Sequence, residues 1–198
     1  MLFRSPSPRG RFAEIWQGSY AKRTLMMIVF NIFQTVGFYG FSNWVPTFLI
    51  AQGIAVTTSL QYTFIIAIAA PLGPLLGVLF ADRFERKWLV VTAAFCIAVF
   101  GLAFAEMTAA LSLIFFGVMV TLSNNVMSFA YHAYQAELYP TRIRALAVGF
   151  VYSFSRLPVV FSAFVIAFVL GRFGVDGVFT LIAGSMGVVM LSVGLLGP

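Results

Sequence analysis

The chain is almost continuous hydrocarbon, broken at intervals by short polar interruptions. An apolar stretch from about 62 to 81 ends at the hexad Asp82-Arg83-Phe84-Glu85-Arg86-Lys87, and another from about 88 to 105 follows it. A helix needs ~20 residues to cross a ~30 Å hydrocarbon layer, so each stretch predicts a spanning helix and the hexad a tight turn at one membrane face. Extended along the chain, the pattern predicts six spans, at about 24–50, 62–81, 88–105, 109–134, 145–170 and 178–196. Pro46 removes a backbone hydrogen bond near the end of the first and is expected to kink or break it. Gly73 and Gly77 in the second form a small-xxx-small pair that permits close helix approach. Residues 1–23 read as a cytoplasmic linker, solvated or lying on the headgroups through Phe12, Ile15 and Trp16. The expected fold is an all-α, polytopic bundle.

Composition removes the alternatives. With 61% hydrophobic and 9% charged residues and a mean hydropathy of +0.99, too few polar side chains exist to cover a water-facing surface. Cys96 has no cysteine partner, which excludes a disulfide framework. A net charge of +6 would suggest nucleic acid in a soluble chain, but here the basic residues sit in short loops, where they set topology instead. Arg4, Arg9, Arg11, Lys22 and Arg23, then Arg83, Arg86 and Lys87, then Arg142 and Arg144 all fall on one face, against Arg172 on the other. By the positive-inside rule that face is cytoplasmic, with both termini on it, in a cell (inner) membrane.

Polar groups inside the spans are the candidates for chemistry. Arg156 lies near the middle of the fifth predicted span, where a guanidinium costs at least ~2.5 kcal/mol unless it is paired or wet. No acid is placed within a span to neutralise it. It is therefore expected to face water, backbone carbonyls, another protein segment or an anionic ligand, whose carboxylate its planar fork would suit. Asn31, Gln34, Tyr39, Asn124 and Asn125 supply hydrogen bonds either to a small polar ligand or between helices. Trp44 reads as an interfacial anchor or a stacking surface. His132, near the cytoplasmic end of its span, reads as an interfacial histidine rather than a proton carrier. One Cys and one His make no metal cluster, and no nucleophile-and-base or paired-acid set lies in the spans, so neither an enzyme nor a cofactor is expected.

Three segments carry a family resemblance. The hexad at 82–87 resembles the loop motif D-R-x-G-R-K of the major facilitator superfamily, with Glu85 standing where the motif has Gly. Glu137-Leu138-Tyr139-Pro140-Thr141-Arg142-Ile143-Arg144 resembles its E-x-x-P-x-x-x-R signature. Gln34, Gly37 and Tyr39 through Trp44-Val45-Pro46 resemble the helix that opens the second half of sugar porters and metabolite:proton symporters. The resemblance implies the C-terminal six-helix half of a secondary transporter, working by alternating access and driven by proton symport. An N-terminal half would come from the same frame or a second chain, and would have to bring any coupling carboxylate. It also implies that Asp82, Arg83, Arg86, Lys87, Glu137, Arg142 and Arg144 form a gate, with Glu137 meeting Arg83 and Asp82 meeting Arg142 or Arg144. The partners implied are the lipid bilayer, a small organic anion, or else a sugar or polyol, and protons. The rival expectation is a non-transporting six-helix fragment or scaffold.

Overall fold

The computed structural model describes residues 11–81 and 83–198. Among them the chain is helical throughout, in eight helices: α1 (Ser19–Ser42), α2 (Val45–Ala51), α3 (Val56–Ile68), α4 (Leu72–Ala81), α5 (Arg86–Glu106), α6 (Ala110–Glu137), α7 (Arg144–Ser153) and α8 (Arg156–Leu196). A 3-10 turn, Phe12–Trp16, precedes them. Five helical stretches are long and apolar enough to cross a membrane: Ser19–Ser42, Val56–Leu79, Arg86–Glu106, Ala110–Glu137 and Arg144–Leu196.

Each interruption has a chemical cause. The first span breaks at Asn43–Trp44 and restarts at Val45, which puts Pro46 in the first turn of α2, where its missing N–H is not needed. α3 and α4 are parted at Ala69–Pro71 beside a second proline, Pro74, and 3-10-type bonds from Ala70 N to Ala67 O and from Gly73 N to Ala70 O close the gap. α7 and α8 are parted at Phe154–Ser155, because Pro158 cannot donate back to the carbonyl four residues earlier.

The longest stretch, 53 residues, is not one straight rod. Gly174 has φ 71° and ψ −165°, far from helical values. A Cβ on Gly40 of α1 would sit 3.4 Å from Ile166 Cδ1 and 3.6 Å from Ile182 Cδ1. In a continuous helix those isoleucines would be about 24 Å apart along the axis. Both reach one residue of α1 because the chain reverses at Gly174, and α8 is a hairpin of two limbs.

Packing follows from small residues and rings. α4 meets α6 at the predicted glycine pair: a Cβ on Gly73 would overlap Asn125, and one on Gly77 would stand 2.6 Å from Phe129 Cδ1. At the end away from the termini, Phe41, Phe48, Phe104 and Phe179, all fully buried, join α1, α2, α5 and the second limb of α8 through ring contacts at 5.3–6.0 Å.

The 12–16 segment is tied to the bundle at one residue and by two ring contacts. Ile15 is completely buried, and Phe12 and Trp16 set their rings edge-on against Phe150 of α7, with centroids 5.1 and 5.9 Å away. Ile15 thus holds the turn to the bundle, while Phe12 and Trp16 keep about half of their surface exposed. α1 also begins five residues before the predicted span, so Lys22 and Arg23 belong to its first turns.

Candidate functional site

The charged loops converge at the end of the bundle that carries both termini of the described chain. Arg86 Nε of α5 lies 2.6 Å from Glu137 Oε1 at the end of α6. Arg142 Nη2 donates to Glu14 Oε2 at 2.5 Å, tying the 138–143 loop to the 3-10 turn. Arg23 Nη1 donates to Leu138 O (2.8 Å), Arg144 Nε to Tyr139 O (3.3 Å), and Lys87 Nζ to Gly197 O (2.9 Å). The expected pairing is corrected here. Glu137 meets Arg86 rather than Arg83, because the first turn of α5 carries Arg86 to the end of α6, whereas Arg83 stays exposed in the turn before it. Arg142 takes Glu14, an acid to which no gating role was assigned. Asp82 lies outside the described residues. With side chains 33% and 56% exposed, the Arg86–Glu137 pair contributes at most ~1 kcal/mol, which suits a contact made to be broken.

Tyr139 anchors this cluster. Its ring is 1% exposed, and its hydroxyl lies 3.0 Å from Thr24 Oγ1, which itself donates to Ile15 O at 2.9 Å. Burial pushes the phenol up from its ordinary value, partly offset by the Thr24 bond and the Arg23 charge, so it stays neutral at physiological pH. Tyr139→Phe is expected to cost about 1 kcal/mol, the net worth of one such bond. Thermal unfolding in detergent measures it, and an unchanged midpoint would show that the Thr24 contact carries no stability.

Deeper in the bundle, α1, α6, α7 and the α7–α8 break enclose a small cleft of about 120 Å³. Gln34, Thr35, Phe38 and Tyr39 line it from α1, Ser128, Tyr131 and His132 from α6, and Tyr152 and Ser155 from the far side. Arg156 adjoins it. As the first residue of α8 it sits where the helix restarts, exposed, with Nη2 3.1 Å from Tyr152 OH and the guanidinium 5.1 Å from the centre of that ring. Among the described residues no carboxylate meets it. The Pro158 break thus turns a mid-span arginine into one at a helix start, facing away from the core.

The other sequence candidates divide. Gln34 and Tyr39 line the cleft. Asn31 is buried one turn below, with Nδ2 donating to Met27 O at 2.8 Å. Asn124 belongs to the buried stripe of α6 with Val120 and Met127, and neither side-chain atom has a partner among the described residues. Asn125 borders a separate cavity with Ser42, Thr63 and Thr121. Trp44, half-buried, caps the break before α2 and lines neither. Tyr131, Tyr152 and His132 were not singled out as ligand groups. Helical spacing alone would have placed Tyr131 near Gln34's level, but which face of α6 turns to the cleft is decided by its packing on α5.

No protein-family model matches the chain. Named relatives do. It is 34% identical to YyaJ of Bacillus subtilis, a protein named for metabolite transport, over 173 residues, which are 87% of this chain and 38% of that protein. It is 31% identical over 172 residues to YdjE, an inner membrane metabolite transport protein of Escherichia coli, covering 86% and 38%. A niacin transporter of Acinetobacter baylyi, NiaP, is 25% identical over 146 residues, 74% of this chain and 33% of that one. Kinship with metabolite transport proteins and two superfamily loop motifs found at one end of one bundle agree. The chain belongs to the major facilitator superfamily. As a major facilitator protein it is a multi-pass membrane protein, and its relatives are transport proteins rather than enzymes. It spans about 38% of the length of the first of these major facilitator relatives.

Proposed function

We propose that this chain is the C-terminal six-helix half of a secondary transporter that moves a small organic anion by alternating access, coupled to protons. In this reading residues 1–23 are a cytoplasmic linker, 24–196 form the bundle with the two limbs of α8 as its last spans, and an N-terminal half faces the cleft. The membrane is the inner membrane, with both termini cytoplasmic. The observation that carries the reading is a guanidinium without a carboxylate at the edge of a cleft lined by rings and hydrogen-bonding groups. At about 120 Å³ the cleft is smaller than the ~300 Å³ at which ligand pockets begin, as half of a site would be. Tyr131, Tyr152 and Phe38 offer faces to a planar ring, and the carboxylate of such an anion would take Arg156. Niacin, named for one relative, is a molecule of this kind.

At the cytoplasmic end, Arg86–Glu137 and Arg142–Glu14, with Arg83, Lys87 and Arg144 around them, form the gate, to which the loop motif in the sequence adds Asp82. Made, they hold the helix ends together, and broken, they release them. Counterflow in proteoliposomes holding the complete transporter tests the reading. Labelled nicotinate, benzoate and succinate are expected to exchange and glucose is not. Exchange of glucose, or of nothing, would overturn it.

A further inference from the structure

The chain has a single histidine, and the structure puts it in the lining of the cleft. His132 is exposed there, with its ring centroid 4.1 Å from that of Tyr131 and 5.9 Å from that of Tyr152. Its Nδ1 is 3.4 Å from Nε2 of Gln135, one turn along α6. Gln135 is only 2% exposed, and its Oε1 is buried with no hydrogen-bond partner among the described residues. The two facts fit one device. While the imidazole is neutral at Nδ1, the amide donates to it. Once Nδ1 carries a proton, a half-turn of the amide brings the unpartnered Oε1 to accept from it. The buried amide thus keeps one bond to the ring in either state, through Nε2 to the neutral imidazole and through Oε1 to the protonated one.

Among the described residues, none of the cleft's other lining groups competes for the proton. α6 contributes Tyr131 and Ser128, α1 contributes Gln34, Thr35 and Tyr39, α7 contributes Tyr152, and Ser155 and Arg156 follow it. No carboxylate lines the cleft: the described acids sit at the helix ends, Glu14, Glu85 and Glu137 on the gate side, Glu106 and Asp176 on the other. Tyrosine and arginine hold their protons through the physiological range, so imidazole is the one group here that titrates within it.

We propose that His132, with Gln135 as its switching partner, carries the coupled proton. Water on the side to which the cleft is open supplies the proton to Nδ1, and the same nitrogen releases it to water on the opposite side once the cleft has opened there. The inference rests on the transport reading above. Protonation adds a second positive charge beside Arg156, so proton and anion each tighten the other's binding, by roughly tenfold for charges this close in a partly wet cleft.

The test is the pH profile of nicotinate counterflow by the complete transporter, from about pH 6 to 8.5, where nicotinate stays a carboxylate and imidazole titrates. The apparent affinity of the unaltered protein is expected to rise as pH falls. In His132→Gln the profile flattens, whatever its level. Gln135→Glu moves the midpoint to higher pH and Gln135→Leu to lower pH, each by about one unit. Opposite shifts at one position would not arise from loosened packing. A profile that persists in His132→Gln, or a midpoint that neither Gln135 variant moves, overturns the proposal and leaves anion transport standing. No exchange by the unaltered protein at any pH overturns both.

Discussion

Arg156→Gln is expected to weaken organic anion exchange by about 30-fold or more, the effect of losing a charge-assisted bidentate contact. Glutamine can still bond to Tyr152 OH, so the variant isolates the charge. Arg156 is exposed and packs into no core position, so the fold should survive, and an unchanged unfolding midpoint in detergent confirms that. Arg156→Lys keeps the charge but not the planar fork and should fall between. Counterflow at saturating and limiting anion separates affinity from turnover, with the loss expected in affinity. If Arg156→Gln exchanges anions as the parent does, the guanidinium is a structural partner of Tyr152 and nothing more.

The second large effect is on the fold. At Gly174, φ 71° with ψ −165° is backbone that only glycine adopts without strain. Nothing stands within 4 Å of where a Cβ would go, so a substitution meets no steric neighbour and its cost is purely conformational. Gly174→Ala is expected to destabilise the protein by about 3 kcal/mol and Gly174→Val by no less, because the reversal that returns α8 to α1 is strained. The neighbouring Gly171 also has open space but no positive φ, and Gly171→Ala should change little. Equal effects at the two positions would mean that the chain does not reverse at Gly174.

Much of the fold was readable from the chain because bilayer thickness imposes one length on every span. The break near Pro46 and the close contact at Gly73 and Gly77 follow from local chemistry that any membrane would enforce. What failed to be readable depends on rotation and on contacts distant in sequence. Glu137 had three basic residues of one turn to choose from, and only the position of α5 beside α6 selects Arg86. The 12–16 turn is short and weakly amphipathic, so its ring contacts with Phe150 are a tertiary effect. His132 lies where an interfacial histidine would lie along α6, and its height is a matter of counting. Its direction depends on which stripe of α6, from Leu113 through Gly117 and Val120 to Met127, is buried. Counting along the chain puts Arg156 within the fifth predicted span, whereas its exposure comes from the break that precedes Pro158.

Access to the cleft from each side of the membrane probes the central claim most directly. Ser128 lines it, and in the complete transporter, with Cys96→Ser and any thiol of the other half also replaced, Ser128→Cys reports on it alone. In sealed vesicles of either orientation, a membrane-impermeant thiol reagent is expected to label Ser128→Cys from both faces, and saturating organic anion to slow the labelling from both. Labelling from one face only, at a rate the anion leaves unchanged, would contradict alternating access around a bound anion in this cleft.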